Sequence, residues 1–125
     1  SRIPPSSLLL LDGDGDFRTA LAANLRDDGF HVLEFRAPES LPALVDLEVL
    51  RALIIADDIA GEGALTFADR FHQVHPKVPV VMLTAFLTDY LEVQLAIRRF
   101  MRVLRKPFDY EVLVDLLKAV RWSAL

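Results

Sequence analysis

The sequence predicts an α/β domain built on a five-stranded parallel sheet, and three observations carry that prediction. Short runs rich in Leu, Ile and Val alternate with longer stretches of helical periodicity, five times along 125 residues. Two of the runs, LIIA and VPVVML, show no polar alternation, the signature of strands covered on both faces. Polar residues able to do chemistry stand directly after the runs, where an open parallel sheet gathers its ligands.

The first strand is predicted at Leu8–Leu11. In the helix predicted over Phe17–Asp28, Phe17, Leu21 and Leu25 recur every four residues, and Gly29 supplies a stop. A second strand is expected at Phe30–Glu34 and a second helix at Pro38–Leu47. The third strand, Leu53–Ala56, precedes a helix at Ala64–Val74. The fourth, Val78–Leu83, precedes a helix at Asp89–Arg99 with Thr88 as N-cap. The fifth, Arg102–Arg105, precedes a helix at Tyr110–Trp122 with Asp109 as N-cap and Trp122 as an anchoring aromatic. Such alternation implies right-handed crossovers and helices on both faces of the sheet.

Composition narrows the function. A chain of 125 residues with 53% hydrophobic content builds one core, predicted over residues 8–122 with tails at 1–7 and 123–125. No apolar run approaches the roughly 18 to 20 residues that span a bilayer, and SRIPPSS lacks the regions of a signal peptide, so a cytoplasmic domain without membrane contact is expected. The absence of cysteine excludes disulfides and thiolate metal sites, and the net charge of -4 argues against direct nucleic-acid binding. His31, His72 and His75 lack partners at metal-ligand spacing and read as structural or exposed.

The charge itself is concentrated in LLLLDGDGDF, where Asp12, Asp14 and Asp16 come after the first strand. A calcium loop counted from Asp12 fails, because Phe17 stands where the turn needs glycine and Ala23 where a bidentate glutamate is needed. The D-x-D-G pattern also resembles the opening of haloacid-dehalogenase-type phosphatases, with Asp12 as nucleophile and Asp14 as acid/base. That family places its acidic pair after the lysine, whereas Asp57 and Asp58 precede both Thr84 and Lys106. It stays a remote alternative.

The order Asp, Asp, Thr, Lys along successive strand ends resembles the receiver domain of two-component response regulators. LLLLDGDGDFRTALAANLRDDGFHV, LIIADD, HPKVPVVMLTA and VLRKPFD carry the resemblance over nearly the whole chain. It implies a flavodoxin-like (βα)5 three-layer sandwich that accepts a phosphoryl group from a histidine kinase or phosphotransfer protein, with Mg2+, and switches an output domain or partner. Asp57 falls on the phosphoacceptor position, with Asp58 its only competitor. Thr84 matches the hydroxyl donor to the phosphoryl group and Lys106 the ammonium that pairs with it. The implied metal ligands are Asp12, Asp57 and the Ile59 carbonyl. In the family the bond corresponding to Lys106–Pro107 is commonly cis.

The sequence also departs from the pattern. Gly13 stands where receivers have a second acid that binds the metal directly, and Asp14 is the nearby carboxylate that could replace it; its alternative role is to start the next helix with Asp16. DIAGEGA lacks the usual Met-Pro-Gly core, and Val103 replaces the usual aromatic switch of the fifth strand. The alternative function is therefore a pseudo-receiver that binds partners without phosphorylation. Arg98, Arg99 and Arg102, with Arg105 and Lys106, form the densest basic segment, read either as a solvated helix end or as part of a partner surface. Receivers commonly dimerise through their fourth helix, fifth strand and fifth helix.

Overall fold

The computed structural model describes residues 2–43, 46–59 and 63–119. Its strands are β1 (Leu8–Leu11), β2 (Val32–Phe35), β3 (Ala52–Ala56), β4 (Val80–Thr84) and β5 (Met101–Arg105), all parallel, in the order 2-1-3-4-5. The helices are α1 (Gly15–Asp27), α2 (Ala64–Val74), α3 (Asp89–Ala96) and α4 (Tyr110–Lys118). This is a flavodoxin-like α/β sandwich.

Every residue of the three central strands is buried, which is why their sequences lack polar alternation. Their side chains divide by the period of two. Leu9, Leu11, Leu53, Ile55 and Met82 face one side, where Ala68 and Phe71 of α2 and Leu91 and Leu95 of α3 meet them. Leu8, Leu10, Ile54, Val81 and Leu83 face the other, against Leu21 and Leu25 of α1 and Leu113 and Leu117 of α4. Burial of each such side chain contributes about 1.5–3 kcal/mol. Edge strands β2 and β5 are only half-buried along most of their length.

Gly29 stops α1 as expected, and its φ of +94° shows why a glycine is needed there. The Gly29 N–H donates to the Arg26 carbonyl and the Phe30 N–H to that of Leu25, so two otherwise orphaned carbonyls are satisfied. Residues 3–7, expected to be a tail, are tied down: Ile3 is buried, Arg51 N–H donates to the Ser7 carbonyl, and the Ser7 hydroxyl lies 3.1 Å from His31 Nδ1.

The helix expected over Pro38–Leu47 does not form. Only two 3-10 turns occur between β2 and β3 among the described residues, Pro38–Ser40 and Leu47–Val49. Pro42 holds Leu41 extended (ψ 128°) and offers no N–H to continue a helix. Leu41, Leu47 and Val49 pack directly on the core instead, so their apolar spacing reflects burial without helical period. Helix α3 ends three residues before the expected Arg99, at Ala96, with Ile97 as its cap. Trp122, the predicted end of the last helix and the 123–125 tail lie outside the described residues.

Candidate functional site

Parallel strands in this order bring the ends of β1, β3, β4 and β5 together on one edge. Asp57 comes immediately after β3 and its N–H donates to the Leu83 carbonyl, extending the ladder by one residue. Its carboxylate accepts a hydrogen bond from the hydroxyl of Thr84, which is fully buried at the end of β4. The same hydroxyl oxygen accepts from the Phe86 N–H at 3.2 Å and lies 3.0 Å from the Phe86 carbonyl. Thr84 thus connects Asp57 to the backbone of the β4–α3 loop. Asp57 and Asp58 are both exposed. Beside Asp57 opens a cleft of about 370 Å³, bounded by Thr66, Met82, Phe86 and Leu91.

Asp12 has a different setting. It is fully buried, and both carboxylate oxygens are used. Oδ1 accepts from the Asp14 N–H at 2.9 Å, and Oδ2 accepts from Lys106 Nζ at 2.9 Å. Burial pushes its carboxyl above the usual carboxylate range, while Lys106 and the Asp14 amide pull it back. Lys106 enters from β5 with its own N–H on the Thr84 carbonyl at 2.7 Å and a cis bond to Pro107. Its ammonium also lies 4.2 Å from the centre of the Phe17 ring, a cation–π contact. Sequence reasoning missed Phe17, whose apolar period marked it only as core, and Arg18, whose guanidinium donates to the Asp12 carbonyl at 2.8 Å and to Glu34 at 3.2 Å.

Of the remaining candidates, Asp14 is exposed and its carboxylate accepts from the Phe17 N–H at 3.1 Å, making it the N-cap of α1. Ile59 is buried. Val103 is half-buried in β5. Arg98 forms a two-pronged pair with Asp69 of α2 at 2.8 and 2.9 Å, which holds its guanidinium above the usual range. Arg102 donates to the carbonyls of Arg99 and Met101, and Arg99 is exposed. His72 stacks on Phe100 with ring centres 3.9 Å apart.

The order of the strands, with Asp57, Thr84 and Lys106 at their carboxyl ends, can be set against known structures. No protein-family model and no curated protein matches the sequence. Solved structures do. A Burkholderia pseudomallei response regulator with a phosphorylated aspartic acid, calcium ion and citrate superposes with a TM-score of 0.74 at 16% identity, over 91% of this chain and 67% of that one. A two-component response regulator from Clostridium difficile gives 0.75 at 20% identity, over 92% and 94%. NtrX from Brucella abortus, in complex with ADP, gives 0.75 at 25% identity, over 90% of this chain but 26% of its own. The chain has the fold of a response-regulator receiver domain.

The magnesium ion that this fold implies does not suit the residues present. Magnesium wants octahedral oxygen coordination from a small number of carboxylates. Among the described residues no group of three or more His, Cys, Asp or Glu side chains converges. Asp12 already spends one oxygen on Lys106, and Asp14, the expected substitute, faces its own helix. A side chain at position 13 has no room, since its Cβ would fall 2.6 Å from the Asp58 carbonyl oxygen. Of the metal ligands that the resemblance implies, Asp12 is engaged by Lys106, and the alternative carboxylate, Asp14, caps α1.

Proposed function

We propose that this chain is a cytoplasmic receiver domain that accepts a phosphoryl group on Asp57 from a histidine kinase or phosphotransfer protein and signals the change to an output domain or partner. The hydrogen bond between the Thr84 hydroxyl and the Asp57 carboxylate carries this reading, because it sets a proton donor where transferred phosphoryl oxygens would lie. In the transfer, an Asp57 carboxylate oxygen attacks phosphorus and the bond from phosphorus to the imidazole nitrogen breaks. The imidazole leaves and the aspartyl phosphate forms. Thr84 then donates to a phosphoryl oxygen in place of the carboxylate, and Lys106 supplies positive charge from the end of β5. Because the Thr84 hydroxyl also contacts the Phe86 backbone, its reorientation reaches the β4–α3 loop without an aromatic in β5.

A small phosphodonor followed by intact mass measurement tests the reading. One added phosphoryl group is expected, absent in Asp57→Asn. Persistence in that variant would move the site to Asp58. An unchanged mass at saturating donor would favour a second reading, a pseudo-receiver that binds partners unmodified, which the closure of position 13 by the Asp58 carbonyl supports.

The partner surface we assign to a second copy of this chain. Tyr90, Val93 and Ile97 are 70%, 59% and 68% exposed, their spacing of three and four aligns them along α3 and its cap, and Phe86, 80% exposed, lies in the loop before it. Acids Asp89 and Glu92 lie in the first turn of α3, and Arg99 comes after its end. Two copies related by a two-fold axis, with α3 antiparallel, would bring opposite charges together at both ends of the stripe. Light scattering across a concentration series should show a dimer that Val93→Glu with Ile97→Glu dissolves. A wild type that stays monomeric at high concentration would refute this surface.

A further inference from the structure

We infer that Lys106 is the resident cation of the acidic pocket, and that the Asp58 carbonyl packed against Gly13 closes the pocket to a divalent ion. The inference goes beyond the phosphoacceptor reading and stands whether or not Asp57 is modified.

Three observations combine. First, both carboxylate oxygens of Asp12 are engaged: one accepts from the Asp14 N–H and the other from the Lys106 ammonium, each at 2.9 Å. A divalent ion on Asp12 would have to sit beside the Lys106 ammonium, whose side chain is itself only 16% exposed, and be repelled by it. Second, Lys106 is held from two more directions, by its own backbone N–H on Thr84 and by the Phe17 ring beneath its ammonium. The ring and Asp12 together hold the ammonium.

Third, Gly13 is not a simple deletion of a ligand. Although Gly13 is exposed, the direction a Cβ would take is filled: the Asp58 carbonyl oxygen lies 2.6 Å from that point, its carbon 3.5 Å and the Ile59 Cα 3.7 Å. All three are backbone atoms, which cannot rotate away as a side-chain tip can. The β3–α2 loop has therefore settled into the space that a larger residue would need. Glycine at 13 and the position of the Asp58 carbonyl form one arrangement, and restoring a carboxylate would undo it rather than complete a metal site.

The test uses the chain as it exists and requires no phosphorylation. Thermal melts are recorded with about 10 mM MgCl2 and with NaCl of matched ionic strength, and amide NMR spectra are recorded during a MnCl2 titration. Equal melts in the two salts, with no saturable manganese broadening at residues 12, 13, 57, 58 and 59, are expected. A saturable magnesium shift, or broadening focused on those amides, would overturn the inference. Gly13→Ala isolates the closure, because it adds a methyl group and no charge. Its melting temperature should fall by about 4 °C or more, as overpacking against backbone costs. If Gly13→Ala melts like wild type, the space at position 13 is not closed. Gly13→Asp should fall at least as far and gain no magnesium shift, whereas a magnesium-dependent recovery would show a loop that yields to a metal site.

Discussion

The ends of β1 and β3 look alike in sequence, each an apolar run leading into an aspartate, yet the two acids are in opposite states. Asp12 is fully buried, bonded at both carboxylate oxygens and tied to a lysine from the far edge of the sheet. Asp57 is exposed, bonded to one neutral hydroxyl and adjacent to an open cleft. The path of the chain beyond each acid makes the difference. After Asp12 the chain turns at once into α1, capped by Asp14, and the Asp58 carbonyl covers Gly13. After Asp57 it leaves the sheet toward α2, with the cleft opening between α2 and the β4–α3 loop. A carboxylate enclosed on every side organises a site, whereas an accessible one can react.

The largest effect should come from breaking the enclosed end. Lys106→Met leaves Asp12 buried without its cation, and removing one partner of a buried pair costs about 3–5 kcal/mol. Equilibrium denaturation at neutral pH should show a loss of that order, and Asp12→Asn with Lys106→Met should recover much of it because no charge is then stranded. The pH dependence has a definite sign. Asp12 is raised above its unfolded value of 3.8 by burial, so its neutral form is favoured in the folded chain. The native state then binds more protons than the unfolded one, and stability falls as pH rises from that value through the folded pKa. Lys106 is among the groups holding Asp12 down, so its removal widens the window. The deficit of Lys106→Met should be small in acid and grow toward neutrality; a deficit independent of pH would mean that the ion pair contributes little.

How much of this was legible depends on the kind of interaction involved. The three central strands were readable because burial on both faces removes polar residues from the sequence itself. The strand-end positions of Asp57 and Thr84 came with them. The helix expected between β2 and β3 does not form because Leu41 and Leu47 are apolar for core packing, and Pro42 offers no N–H to continue a helix. Closure at Gly13 could not be read at all. It depends on where the carbonyl of a residue distant in sequence, Asp58, comes to rest, and a backbone oxygen leaves no mark on residue identity. The role of Asp14 at the start of α1 was readable as a local pattern.

An intermediate effect should separate Asp14 from both acids. Asp14→Ala removes the side-chain acceptor of the Phe17 N–H, and loss of such a cap costs about 1 kcal/mol. Because Asp14 faces α1, phosphodonor labelling of the variant should match wild type. A variant that keeps its stability but loses labelling would return Asp14 to the site chemistry.

The smallest stability effect should come from the exposed end. In Asp57→Asn the amide oxygen remains an acceptor for the Thr84 hydroxyl, so the hydrogen bond observed there can persist. The position is exposed, and surface substitutions that preserve local bonds stay within about 0.5 kcal/mol. Function should respond in the opposite proportion. An amide cannot form an acyl phosphate by nucleophilic attack as a carboxylate does, so labelling should vanish while the melting curve stays almost unchanged. The matching change at the other end, Asp12→Asn, deprives half-buried Lys106 of its counter-charge and should destabilise substantially. The two Asn variants therefore test the contrast with identical chemistry: the same oxygen-to-amide exchange gives a silent melt and lost labelling at 57, and a lowered melt at 12. Comparable stability losses at both positions would show that Asp57 is as embedded as Asp12 and that exposure does not distinguish the reactive acid from the organising one.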